Sequence, residues 1–137
     1  MSTQAALPAS GRRALVAGAL LMAVATAVGA FGAHALHDWL APDRYAVLQT
    51  AVLYQFIHAL GLLALGALAA RHSGRALRIA ADLLLAGVLL FSGSLYLLLC
   101  GAPHFLGVLT PVGGLLLMGG WCVAAVALLR AAQSSTP

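Results

Sequence analysis

Residues 14–36 read ALVAGALLMAVATAVGAFGAHAL, 23 residues without an Asp, Glu, Lys or Arg. A helix crossing the hydrocarbon core of a bilayer takes about 20 mostly apolar residues, and this run has that length with room for tilt. Three further runs repeat the pattern at 45–70, 79–100 and 105–129. In lipid every backbone N–H and C=O needs a partner, so runs of this length and hydropathy are read as helices. The sequence therefore predicts an all-α membrane protein, a single transmembrane domain over residues 14–130. Short connections make successive helices antiparallel neighbours, which gives a four-helix up-down bundle.

Composition excludes the soluble alternative. The chain is 63% hydrophobic and 7% charged, with a mean hydropathy of +1.02, whereas a soluble domain carries about 25% charged residues. The seven Arg and three Asp are too few to solvate that much apolar surface. A pI near 9.8 raises nucleic-acid binding, but the arginines sit in short clusters between apolar runs and form no groove-sized patch, so no nucleic-acid partner is expected. Cys100 and Cys122 lie at the end of the third run and inside the fourth. They are expected to be unpaired packing residues rather than a disulfide.

Arginine placement sets the expected orientation. Arg12, Arg13, Arg71, Arg75, Arg78 and Arg130 fall in the N-tail, the middle loop and the C-tail, against Arg44 alone in the other two loops. The positive-inside bias puts the first group in the cytoplasm, with both termini inside. Residues 1–13 are expected to be a flexible cytoplasmic leader, and 131–137 a disordered tail. The twin arginine and the Ala33-His34-Ala35 triplet mimic a secretion signal. The apolar run exceeds a signal core of about 7–15 residues, so an uncleaved span is expected. The destination is the inner (plasma) membrane, crossed several times.

Polar side chains inside lipid are costly, which makes them the first place to look for function. At 1.5 Å rise per residue, His34 lies about 5 Å below the outer helix ends, Gln49 and Tyr96 about 6 Å, and Ser94 and Thr110 about 8 Å. Ser92 and Tyr54 fall at about 12–14 Å, Gln55 at about 15 Å, and His58 at about 20 Å. These polar groups gather in the outer half. Two readings stand side by side. Each residue can be glue, bonding a helix carbonyl or a neighbouring helix. Together, His34, Gln49, Tyr54, Gln55, His58, Ser92, Ser94, Tyr96 and Thr110 can line an outward-facing ligand pocket. Tyr54, Gln55 and His58 share one face of the second helix by spacing.

Other chemistry finds little support. His34, His37, Asp38 and His58 contain metal-ligand types, but His58 lies about 15 Å deeper than His34, so no metal or cofactor is expected. There is no G-x-S-x-G, no H-E-x-x-H and no Gly-rich phosphate loop, and hence no catalytic residue or enzyme is expected. Asp82 sits one turn after Arg78, which predicts a local ion pair. Small residues that let helix backbones approach are Ala25, Gly29 and Ala33 on the first helix and Gly113, Gly114, Gly119 and Gly120 on the fourth.

Four motifs resemble one family. They are Gly29-Ala30-Phe31-Gly32-Ala33-His34; Thr50-Ala51 with Tyr54-Gln55 and His58; Phe91-Ser92-Gly93-Ser94-Leu95-Tyr96; and Thr110-Pro111-Val112-Gly113-Gly114, followed by Gly120-Trp121. In order and spacing they resemble the small bacterial inner-membrane family called domain of unknown function 423, over Ala14 to Leu129. That resemblance implies a four-helix membrane protein with no established activity. Its pattern falls on His34, Tyr54, Gln55, His58, Ser92, Ser94, Tyr96, Thr110 and Pro111, and leaves out His37, Asp38 and both cysteines.

The expected function is non-catalytic binding or scaffolding, through an outer-leaflet polar pocket that takes a lipid, a small amphipathic ligand or a membrane-protein partner. Membrane lipid and further copies of the chain are the other expected partners. The alternatives are a small oligomeric proton-coupled transporter or channel, or an intramembrane enzyme, built on His58 with Tyr54 or Gln55.

Overall fold

The computed structural model describes residues 8–69 and 74–133. It contains α1 (Ala9–Phe31), extended by one π-helical turn (Gly32–Leu36), then α2 (Pro42–Leu68), α3 (Arg75–Leu99), a 3₁₀ turn (His104–Val108) and α4 (Leu109–Gln133). All four helices have the length and hydropathy to cross a membrane. There is no strand among the described residues. The up-down bundle of four transmembrane helices is the observed architecture. α1 packs on α2, α2 on α3 and α3 on α4, with a minor α1–α3 contact, so α1 and α4 form the two flanks.

Helix ends follow local chemistry. α2 opens with Pro42 in its first turn and Asp43 beside it, a fixed φ and an acid placed at the positive end of the helix dipole. α3 stops at a Schellman turn. Gly101 takes φ +88°, its N–H donates to the Leu98 carbonyl at 3.1 Å, and Ala102 N–H donates to Leu97 at 3.0 Å. Glycine adopts that left-handed conformation without steric cost, and Pro103 blocks any continuation. Arg44 at the start of α2 adds a bond from its guanidinium to the Leu99 carbonyl at 2.5 Å.

α1 begins at Ala9, earlier than the apolar run, so Arg12 and Arg13 are helical rather than part of a leader. The span from Ala9 to Leu36 counts 28 residues, about 42 Å, longer than the roughly 30 Å hydrocarbon core. Its excess length carries the arginines into the interface. There Arg13 forms an ion pair with Asp82 of α3. This corrects the expected Arg78–Asp82 pair: spacing along one helix found a candidate, but α1 delivers a nearer one. At the other end α4 stays helical through Gln133, past the expected boundary. The leader at 1–7, the loop at 70–73 with Arg71, and the tail at 134–137 lie outside the described residues.

Lipid tails are as apolar as leucine, so helices associate through close packing rather than water release. Gly11, Gly18, Ala25 and Gly32 recur every seven residues along α1, and all four are buried. A Cβ on Gly18 would lie 2.9 Å from the Ala59 carbonyl oxygen of α2, and one on Gly66 would lie 2.9 Å from the Gly11 carbonyl oxygen of α1. The α3–α4 contact is closer still: a Cβ on Gly113 would lie 2.4 Å from the Phe91 nitrogen. Of the small residues singled out from sequence, Ala25 and Gly113 are at interfaces, and Gly120 meets Leu84, whereas Ala33 is exposed and Gly119 touches nothing. The central core is Leu62, Leu65, Leu77, Leu84, Val88 and Leu117. Both cysteines are exposed and free, so neither is a core packing residue.

Candidate functional site

Five of the nine site residues predicted from sequence are engaged in bonds between helices. Gln55, 2% exposed, sits where three helices meet. Its Nε2 donates to the Leu21 carbonyl of α1 at 2.8 Å, and its Oε1 accepts from the Tyr96 hydroxyl of α3 at 2.8 Å. Ser92 Oγ donates to the Ala51 carbonyl at 2.9 Å, a bond the small Ala51 permits by letting α3 approach α2. Ser94 Oγ donates to its own helix at Phe91 (2.9 Å). With that proton committed, the Thr110 hydroxyl of α4 is the donor in the 2.7 Å contact with Ser94. Among the described residues no buried side-chain N or O lacks a partner.

Tyr54 and His58 form a second group. His58 Nδ1–H donates to the Tyr54 carbonyl one turn back at 2.6 Å. Its ring stacks on Tyr54, with centroids 5.8 Å apart, and faces Trp121 of α4 at 6.1 Å. Tyr54 in turn stacks on Phe91 at 4.4 Å. The result is an aromatic wall along α2, α3 and α4. The Ser92 and Ser94 hydroxyl protons both go to carbonyls, and neither serine is bonded to an imidazole.

Gln49 and His34 stand apart from both groups. Gln49 is exposed and lines a groove of about 280 Å³ between α1 and α2, with Gly29, Ala33, Tyr45, Val52 and Phe56 among its neighbours. The groove exists because Gly29 and Gly32 bring no side chain to that part of α1, next to the π turn. Such turns recur at functional sites. His34 belongs to the π turn and is exposed, but it does not line the groove. Tyr45 was not singled out from sequence. The signal was there, since 45, 49, 52, 53 and 56 follow the spacing of one helix face. In the adjoining loop, His37 Nδ1 contacts Asp38 at 2.8 Å, and no group of three metal-ligand side chains converges among the described residues.

Comparison with known proteins places the chain. A family profile described as "Protein of unknown function (DUF423)" matches residues 28–114. A "UPF0382 membrane protein" of Staphylococcus epidermidis is 40% identical over 116 residues, covering 85% of this chain and 94% of that one. "UPF0382 membrane protein YwdK" of Bacillus subtilis is 40% identical over 118 residues, covering 85% and 95%. "UPF0382 inner membrane protein YgdD" of Escherichia coli is 32% identical over 121 residues, covering 88% and 92%. No solved structure matches. With four membrane-length helices and relatives of this kind across most of its length, the chain is a multi-pass membrane protein of the DUF423 family.

Proposed function

We propose that the protein is a non-catalytic membrane binding protein whose α1–α2 groove receives the polar end of a neutral amphipathic molecule from the outer leaflet. The observation that carries this reading is Gln49. Gln49 lines the groove, and its carboxamide has no protein partner among the described residues, about 10 Å along α2 from Pro42. An amide at that depth has no bulk water to bond, and an unpaired polar group in hydrocarbon costs several kcal/mol. A hydroxyl, ester or amide on a ligand would satisfy both its oxygen and its nitrogen. No charged residue lines the groove, which favours an uncharged head, and Val52, Leu53 and Phe56 offer an apolar wall for the attached chain.

The remaining predicted residues take a supporting part in this proposal. The Gln55–Leu21 bond ties together the two helices that frame the groove, while Gln55–Tyr96, Ser92–Ala51 and Ser94–Thr110 brace α2 against α3 and α3 against α4. Assignment to the outer leaflet rests on the arginine bias, which puts the basic helix ends in the cytoplasm. The absence of a bonded nucleophile–base pair among the described residues supports a non-catalytic reading. Self-association remains part of the proposal, since α1 and α4 each leave a flank open to lipid or a second copy. A monomer by light scattering in lipid nanodiscs would remove that part.

Photolabelling tests the groove. The probe is a diazirine-bearing analogue of dioleoylglycerol, added to the full chain in nanodiscs and mapped by peptide mass spectrometry. Labelling is expected on α1 and α2 near Gln49. It should drop in Gln49→Leu and in Ala33→Leu, which fills the exposed edge of the groove. Equal labelling in parent and both variants, or labelling confined to α3 and α4, defeats the proposal.

A further inference from the structure

The basic end of the bundle carries a second hollow, independent of the groove. It measures about 280 Å³ and lies between α1, α2 and α3, with Ser10, Arg75 and Arg78 among its lining residues and Ala14, Leu65 and Ala81 giving it apolar walls. We infer that this hollow binds the phosphate group of an anionic membrane lipid.

Charge accounting drives the inference. The chain has three carboxylate side chains, Asp38, Asp43 and Asp82, and no Glu. Asp38 and Asp43 belong to the opposite end of the molecule, beside the start of α2. Asp82 is the one carboxylate near the hollow, and Arg13 takes it. Arg75 and Arg78 therefore line a cavity with no acidic side chain left in the protein to neutralise them. An anion drawn from the surroundings would meet no acidic side chain there.

Geometry and location narrow the source. Arg75 and Arg78 are three apart on α3, hence neighbours on one helix face. Two guanidinium groups on one wall offer forks that match phosphate oxygens, with the Ser10 hydroxyl as a further donor. α3 begins without a side-chain cap and without an acid in its first turn, so nothing negative competes there. The apolar walls below the arginines suit a glycerol backbone and the first methylenes of an acyl chain, which a free phosphate lacks. Basic pockets between membrane helices at the cytoplasmic interface are where anionic headgroups are held.

The test must separate a site from arginines that serve only to orient the chain. The full chain is reconstituted in nanodiscs of equal parts phosphatidylglycerol and phosphatidylcholine, and retained lipid is read by native mass spectrometry. The parent is expected to retain phosphatidylglycerol by at least about tenfold, the yield of one charge-assisted bond. R75Q/R78Q should lose that preference, whereas R12Q, an exposed arginine of the same end that does not line the hollow, should keep it. If the glutamine variant fails to insert, R75K/R78K decides: it keeps the charges that orient the chain but lacks the forks, and should lose preference several-fold. No preference in the parent, an unchanged preference in the deciding variant, or an equal loss in R12Q overturns the site. Stabilisation by inorganic phosphate in purely phosphatidylcholine nanodiscs, lost in the same double variant, would overturn the lipid assignment in favour of a free anion.

Discussion

The hydroxyl of Tyr96 on α3 donates to Oε1 of Gln55 on α2 at 2.8 Å. That bond and the glutamine's own donation to Leu21 tie three helices through one side chain, in a medium where water cannot substitute for a lost partner.

Tyr96→Phe should lower stability by about 1 kcal/mol, the range found for hydrogen bonds between membrane helices. Gln55→Leu should cost more, about 2 kcal/mol, because it removes two bonds and strands the tyrosine hydroxyl. Unfolding of both variants in detergent micelles, followed by circular dichroism, reads the difference. Identical midpoints for parent and Gln55→Leu would show that the three-helix junction holds nothing.

His58 is nearly as buried as Gln55 but bonds only within its own helix. The Tyr54 carbonyl keeps its backbone partner when the imidazole goes, so His58→Leu should cost less than Gln55→Leu and stay under about 1 kcal/mol. The same variant in liposomes also tests the transport alternative. Flux of protons through the parent that disappears in a well-folded His58→Leu, while His34→Ala retains it, would replace the binding proposal.

Gly113→Ala should force α3 and α4 apart, because the atoms a new Cβ meets are backbone, Phe91 nitrogen at 2.4 Å and the Gly87 carbonyl at 2.9 Å. Gly119→Ala meets nothing within 4 Å and should be neutral or slightly stabilising, since alanine is the better helix former. Thermal unfolding of the two variants side by side is the measurement. Equal behaviour would mean that the α3–α4 separation is wider than described.

Reporter fusions check the orientation. A fluorescent protein at the C-terminus should glow, as it folds in the cytoplasm, and alkaline phosphatase inserted between Asp38 and Arg44 should be active outside. The reverse pattern would turn the bundle over and move the Gln49 groove to the inner leaflet.

The spans were legible because lipid demands long charge-poor runs, and the four are set apart by two charged loops and one Gly-Pro break. Helix ends were less so. Arg12 and Arg13 look like the edge of a span, yet nothing at a membrane interface obliges a helix to stop at a charge. Depth along the chain placed Gln55, Ser92, Ser94, Tyr96 and Thr110 in one half of the bundle together with four other polar residues, but depth says nothing about rotation. Rotation decides whether such residues line a cavity or meet each other, and these five bond to helices. Asp82 shows the same limit: Arg78 was visible one turn away, while Arg13 arrives from 69 positions earlier. The seven-residue recurrence of Gly11, Gly18, Ala25 and Gly32 is present in the sequence, but the i, i+4 pairs around Gly29 give an equally good small-residue pattern on another face of the same helix.

Three of the contacts that cross between helices end on main-chain carbonyls: Gln55 on Leu21, Ser92 on Ala51 and Arg44 on Leu99. A carbonyl is present whatever side chain the residue bears, so the accepting position is free to change identity wherever size permits. Leu21 in particular, only partly buried, can be replaced without touching the bond it receives. A saturation scan would therefore mark one half of each contact and pass over the other. Paired substitutions, the usual signature of two residues in touch, would not arise at these crossings, and inference of helix neighbours from covariation would be blind to them.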